Sequence, residues 1–330
     1  MNKHIYQVIT ILFILVLAAN GAACSQAPAL TPELTPVTVQ LSWTHQAQFA
    51  GFYAADKNGY YAAEGLAVAF VEGGPAIDAT TPVVDKTAQF GVTSADLVLL
   101  KRAQGDPVKV IATIYQRSPR VYMTIADSGI TRPQDFIGKT IAVGRNVQPL
   151  LDAMMLRLGI QPDQYAVVDS TPGMEQLYSG QVQVRSVFLT NEVIAAQAAG
   201  YKFNLILPDD YGIHFYNQAI FTSDDLIASQ PDLITRFLRA SLKGWRYVIE
   251  NPDQGGALVT QYNPQADLDL EVEKMSASLP LINTGRDEIG WMRPEIWAGM
   301  DQTLRSQGVL TQSLAVGDVY TLQFLKEVDQ

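Results

Sequence analysis

The sequence predicts an α/β protein of two lobes around a cleft. Three observations lead to that class. Short apolar strands alternate with helical stretches from Val37 to Tyr115, the same alternation restarts near Thr131 and runs to Leu207, and after an extended return at Phe215–Thr222 almost everything reads as helix. Strands and helices alternating at this spacing imply mostly parallel sheets with helices on their faces.

The elements follow in order. Val37–Leu41 alternates apolar and polar residues, as a half-buried strand does. A helix over Ala47–Lys57 is stopped by Asn58-Gly59. Leu66–Val71 is the next strand, and Gly73-Gly74-Pro75 turns the chain into a helix over Ala76–Asp85. Gln89–Val92 and Val108–Tyr115 are strands, joined by a helix from Ser94 to Ala103. In the second unit, strands are expected at Lys139–Gly144, Tyr165–Asp169, Val184–Leu189 and Phe203–Leu207. Helices are expected there at Thr131–Phe136, Val147–Leu158, Gly173–Ser179 and Glu192–Ala199. The C-terminal helices are placed at Asp225–Glu250, Gln254–Gln261, Leu268–Leu279, Pro294–Ser306 and Val316–Val328.

A chain that builds one unit, enters a second and returns makes a cleft between them, and such clefts are ligand sites. Lobe 1 is expected to take residues 37–120 plus 215–330 and lobe 2 residues 121–214, with hinge crossings near Tyr122 and Tyr211. In α/β sheets ligands sit at the carboxyl ends of strands, over the backbone N–H groups of helix starts. The candidate loops are therefore Ser42–Gln48, Gly73–Pro75, Ser94–Asp96, Tyr115–Gln116, Gly144–Gln148 and Thr190–Glu192. Trp43, Phe52, Tyr53 and Tyr115, with Phe49, offer aromatic surface on which a flat heteroaromatic molecule stacks. Gln46, Gln48, Gln116, Asn191 and Glu192 offer donors and acceptors for a ring edge. Gly73, Gly74 and Ser94 complete the ligand-binding candidates. Packing explains some of these equally well: one of Phe49, Phe52 and Tyr53 belongs to the core at helical spacing, and Asn191 with Glu192 fits a helix cap. Arg117, Arg120 and Arg145 keep an anionic ligand in play.

Composition narrows the function. A net charge of -10 disfavours a nucleic-acid partner. With 3 histidines and 1 cysteine in the chain, a His/Cys metal site is not expected, and no cofactor is called for. There is no glycine-lysine phosphate loop and no nucleophile elbow, so no catalytic residues are assigned and no enzyme is expected.

The N-terminus reads as an export signal. Lys3 and His4 precede the apolar run Ile5–Ala19, and small residues Gly21-Ala22-Ala23 lead to Cys24. Cys24 sits where bacterial lipoproteins carry their lipid, and the residues before it resemble a lipobox. Gly21 stands where Leu is usual, which leaves plain cleavage near Ala23 as the alternative. Residues 1–23 are thus expected to be a signal peptide, and 24–36, rich in Ala, Pro, Thr and Ser, a lipidated tether.

The loops also carry a family resemblance. The run Leu41-Ser-Trp-Thr-His-Gln-Ala-Gln-Phe-Ala-Gly-Phe-Tyr-Ala-Ala, followed by Gly59-Tyr-Tyr-Ala-Ala-Glu-Gly-Leu, resembles the opening of the NMT1/THI5-like solute-binding proteins. Phe90-Gly-Val-Thr-Ser-Ala-Asp, Asp135-Phe-Ile-Gly-Lys-Thr-Ile-Ala-Val-Gly and Thr190-Asn191-Glu192 are similar to later stretches of that family, in the right order. The resemblance implies a type II periplasmic-binding fold: two α/β lobes around a ligand cleft, joined by a two-crossing hinge. It also implies an ABC importer, with a permease and its ATPase as partners. The pyrimidine-binding branch usually reads Asp-Trp-x-Pro-Asn-x-x-His in the first loop. Here Trp43 is kept, while Ser42, His45, Gln46 and Phe49 replace the Asp, Pro, Asn and His.

The expectation is an extracytoplasmic, lipid-anchored, monomeric binding protein at the cell membrane that captures riboflavin. The alternatives are a thiamine pyrimidine precursor (formylaminopyrimidine or hydroxymethylpyrimidine) and a sulfonate or nitrate. In another class stands a pyrimidine synthase, whose histidine and cysteine cluster this chain lacks.

Overall fold

The strand next to a crossing runs against its neighbours in each of two five-stranded sheets. The computed structural model describes residues 33–328, apart from 75–76, 145–146, 283, 307 and 313. Cys24, the leader and most of the tether lie outside the described residues, as do Pro75 and Arg145.

The first sheet holds β1 (Thr35–Gln40), β2 (Leu66–Val71), β3 (Phe90–Thr93), β4 (Val108–Tyr115) and β10 (Asn217–Ser223) in the order β2-β1-β3-β10-β4. The second holds β5 (Arg120–Ile125), β6 (Thr140–Val143), β7 (Ala166–Asp169), β8 (Val184–Phe188) and β9 (Phe203–Ile206) in the order β7-β6-β8-β5-β9. β1 lies parallel between β2 and β3, with Val39 opposite Phe70 and Phe90. β10 is antiparallel to β3 and β4, and β5 is antiparallel to β8 and β9. The sheets are therefore mixed rather than mostly parallel. A strand delivered by a crossing enters from the opposite end to strands delivered by helical crossovers, so it runs against them.

Among the described residues, helical segments longer than five residues are α1 (Ala50–Lys57), α2 (Ala95–Ala103), α3 (Gln148–Arg157), α4 (Glu192–Ala198), α5 (Asp224–Ser229), α6 (Pro231–Glu250), α7 (Pro252–Leu258), α8 (Leu268–Ile282), α9 (Pro294–Ser306) and α10 (Gln323–Val328). A 3-10 turn at Ala47–Phe49 leads into α1. Pro231 splits the single helix expected over Asp225–Glu250 into α5 and α6, and Ser223 caps α5 by accepting from the Leu226 N–H. The expected helix over Val316–Val328 is likewise broken at Tyr320, which bridges to Val110. Of the helix expected over Ala76–Asp85, only Thr81–Val84 is helical among the described residues.

The sequence pattern missed β5. Its central residues Val121, Tyr122, Met123 and Thr124 are all buried, so both faces are covered and no apolar-polar alternation marks it. Tyr122 pairs with Ser186 on one side and Ile206 on the other, so it lies in mid-sheet and not at a hinge. The first crossing is the short segment 116–119. Side chains on β5 alternate between two cores: Val121 and Met123 join a cluster with Leu177, Val187 and Val193, while Tyr122 joins the large cluster that includes Phe136, Leu151 and Phe215.

α6 is strongly amphipathic and lies across α1. The contact is close because glycines meet there: a Cβ on Gly244 would stand 2.1 Å from the Gly51 carbonyl oxygen, and one on Gly51 would stand 2.2 Å from the Trp245 ring. Phe237 of α6 stacks on Phe90 at 3.9 Å and on Tyr61 at 5.6 Å between ring centroids. This packing fixes the start of α1 beneath the end of β1, where the first candidate loop lies.

Candidate ligand cleft

The loop after β1 is held on three sides. The Leu41 N–H donates to the Val71 carbonyl at 2.9 Å, the Gly73 N–H to the Trp43 carbonyl at 3.0 Å, and the His45 N–H to Glu72 Oε1 at 2.7 Å. Gly73 is needed for that approach, because a Cβ there would stand 2.3 Å from the Leu41 oxygen. A Cβ on Gly74 would meet nothing within 4 Å. Trp43 is half-buried against the core and keeps part of its ring exposed.

Glu271 satisfies the helix start behind this loop, and Tyr53 holds the histidine before it. The Tyr53 hydroxyl shares a hydrogen bond with His45 Nδ1 at 2.7 Å. Burial pushes the Tyr53 hydroxyl far up and keeps it protonated, and burial lowers the His45 imidazole despite the Glu72 carboxylate beside it. The Tyr53 ring stacks on Tyr262 at 4.1 Å. The Ala47 N–H donates to Glu271 Oε2 at 2.7 Å, and Lys274 Nζ donates to Glu271 Oε1 at 2.6 Å.

α8 runs from that point along the border of the second lobe. Its Glu271 meets the first loop, its Ser278 Oγ accepts from the Tyr115 hydroxyl at 3.0 Å, and its Leu281 carbonyl accepts from the Gln116 N–H at 2.8 Å. α8 packs against α4, and the Tyr115 hydroxyl also reaches Thr190, so β4, α8 and the start of α4 converge. Burial pushes the Tyr115 hydroxyl up to about 12, against the pull of Ser278 and Thr190.

The predicted residues sort by what their polar atoms already do. Among the described residues, the side chains of Gln46, Gln48, Ser94 and Asn191 make no hydrogen bond, although Gln46 and Gln48 are each only 8% exposed. Gln116 directs its amide to the Thr113 and Trp291 carbonyls, each at 3.0 Å. Glu192 accepts from the Phe188 N–H at 2.9 Å and so closes the turn before α4. Phe52 is fully buried edge-on to Trp245 at 5.7 Å and is a core residue. Tyr53 and Tyr115 are fully buried too, with both hydroxyls committed. The structure sets Trp43, Gln46 and Gln48 on the loop after β1, brings Gly73 of the loop after β2 against it, and places Tyr115 near Thr190. Sequence reading missed Glu271, Lys274, Ser278 and Tyr262, because a helix far along the chain gives no local signal of which loop it will face.

The second crossing is clasped to the first. Asp209 takes Arg117 with one carboxylate oxygen and His214 with the other. Cavities flank this segment on both sides. One, of about 510 Å³, is lined by Arg157, Gly212, Ile213, His214, Glu295 and Gln302. The other, of about 170 Å³, is lined by residues including Arg117, Leu150, Asp209, Phe215 and Leu281. Neither is lined by the predicted aromatic and amide residues, while Arg117 and Arg120, two of the residues that kept an anionic ligand in play, line the smaller one.

Two mixed α/β lobes, each with one antiparallel crossing strand, have the type II periplasmic-binding fold. The chain superposes on the periplasmic aliphatic sulphonate binding protein SsuA from Escherichia coli with a TM-score of 0.69, covering 87% of this chain and 91% of that one at 13% identity. It belongs to the NMT1/THI5 like family, which matches residues 46–255. It is 30% identical to riboflavin-binding protein RibY of Chloroflexus aurantiacus, over 93% of this chain and 91% of that one. It is 26% identical to a formylaminopyrimidine-binding protein of Halalkalibacterium halodurans, over 97% of this chain and 98% of that one. A 4-amino-5-hydroxymethyl-2-methylpyrimidine phosphate synthase of Legionella pneumophila is 24% identical over 88% of this chain and 92% of its own length. No helix among the described residues is long and apolar enough to cross a membrane.

Proposed function

We propose that this protein is the extracytoplasmic substrate-binding component of an ABC importer, that it captures riboflavin, and that it changes nothing covalently in what it binds. The observation that carries the reading is the 30% identity to a riboflavin-binding protein along 93% of the chain. The cleft is consistent with it. A half-buried Trp43 stands on the same loop as two buried amides, Gln46 and Gln48, that no described residue engages. Aromatic surface beside neutral donors and acceptors suits a flat ring system rich in carbonyl and ring-nitrogen groups. Ligand entry closes the lobes about segments 116–119 and 207–216, and the closed form docks on the permease that an ATPase drives. Cys24 carries the lipid that keeps the mature chain, a monomer, at the outer face of the membrane.

A pyrimidine precursor is the second reading, favoured by the formylaminopyrimidine-binding relative. Against it, Ser42, His45, Gln46 and Phe49 replace four positions of the pyrimidine motif. Titration of the purified protein with riboflavin, read by quenching of flavin fluorescence, separates the two: quenching that saturates supports riboflavin, and its absence removes it. Recovery of chemically unchanged ligand after incubation separates binding from synthase chemistry. Mass analysis of the mature chain tests the anchor, since a free thiol on Cys24 would leave a secreted binder.

A further inference from the structure

We propose that Glu271 is a specificity residue that keeps anionic ligands out of the cleft, a role that rests on the binding-protein reading above and narrows its ligand to uncharged molecules. The first turn before α1 presents its N–H groups at the carboxyl end of β1, the position at which a helix start holds a phosphate, sulfonate or carboxylate. In this chain that position is filled from within. Glu271 Oε2 accepts from the Ala47 N–H at 2.7 Å.

The plug is built, not incidental. Glu271 is 4% exposed and Lys274 7%, and their ion pair closes at 2.6 Å. Both carboxylate oxygens are therefore engaged, one by the helix start and one by the ammonium. The pair as a whole is neutral, so a neutral ligand beside it meets no uncompensated charge. An anion meets a fixed carboxylate on the donor it needs, and that carboxylate cannot leave without stranding Lys274 in a buried position. Lys274 is one turn from Ser278, which holds Tyr115 at the border of the second lobe, so the plug and the inter-lobe face lie on one rigid helix.

The test uses hexanesulfonate as an anionic probe and riboflavin as a neutral one, each titrated separately by thermal shift and by intrinsic fluorescence. Wild type is expected to ignore hexanesulfonate. Glu271→Gln removes the charge and leaves the buried Lys274 ammonium without its counter-charge, and it is expected to gain sulfonate affinity by about tenfold or more, as one charge-assisted hydrogen bond would give. Should that variant fail to fold, Glu271→Met with Lys274→Met removes the pair as a unit and frees the Ala47 N–H for the same comparison. A folded variant of either kind that binds hexanesulfonate no better than wild type overturns the proposal, whatever riboflavin does. Riboflavin binding to wild type is read independently, and its absence would overturn the ligand assignment without touching the sulfonate result.

Discussion

The hydroxyl of Tyr53 lies 2.7 Å from Nδ1 of His45, in the loop that leads into α1. One phenol thus fixes a loop histidine. Tyr53→Phe keeps the ring stacked on Tyr262 and removes only the oxygen. The partly buried imidazole loses its partner, and the expected loss of stability is about 0.5–1.5 kcal/mol. Chemical denaturation followed by tryptophan fluorescence measures it, and an unchanged midpoint would mean that water replaces the hydroxyl.

His45 makes stability depend on pH. Burial holds its folded-state pKa below the ordinary value, with Glu72 opposing the shift. As pH falls through about 6.5 the unfolded chain takes the proton first, so His45's contribution is complete above that pH and is lost as the pH drops toward the folded value. Urea midpoints between pH 8 and 5 should therefore decline more steeply for wild type than for His45→Gln. Parallel curves would show that the imidazole is free to charge in the folded protein.

Trp43 is the aromatic group that the proposed function assigns to the ligand. If the ring stacks on it, Trp43→Ala weakens binding by about 1–3 kcal/mol, roughly 5- to 150-fold in the dissociation constant. Titration calorimetry with riboflavin measures the change. A constant that does not move assigns the ring to packing alone.

Asp209 joins the two crossings through Arg117 and His214. Asp209→Ala releases both at once while leaving the cleft residues untouched. Distances between spin labels on the two sheets should broaden toward more open forms, and ligand affinity should fall because more closure is left for the ligand to drive. An unaltered distance distribution would place the hinge stiffness elsewhere, for instance in the Leu281 carbonyl that accepts from Gln116 and Arg117.

Gly244 sets the spacing of α6 on α1. With a methyl group directed 2.1 Å from the Gly51 oxygen, Gly244→Ala must push the helices apart. The expected cost is about 1–3 kcal/mol or more, read from thermal unfolding. Because α1 carries Tyr53, the same variant should disturb the His45 contact, visible as a change in the pH dependence described above.

Much of the architecture was legible along the chain, for a physical reason: strand and helix impose their periods on neighbouring residues. The alternation at Val37–Leu41 marks β1, and Ser94 marks the start of α2. β5 was not legible because a strand covered on both faces loses the alternation that identifies it. The breaks at Pro231 and Tyr320 lie in stretches whose apolar spacing still reads as helical, and Tyr320 leaves its helix only because a partner strand is there to meet it.

The sequence by itself determined the fold class and, β5 apart, the order of the strands, because each is written in local pattern. Only the tertiary structure decided which polar groups in the candidate loops remain free. Gln46 and Gln116 are the same residue type on two candidate loops, yet Gln116 is bound to Thr113 and Trp291 and Gln46 to none of the described residues through its amide. Glu271 reaches Ala47 across 224 positions of chain. A hydrogen bond of that span depends on the packing of α8 against the first loop, and packing is set by the whole core.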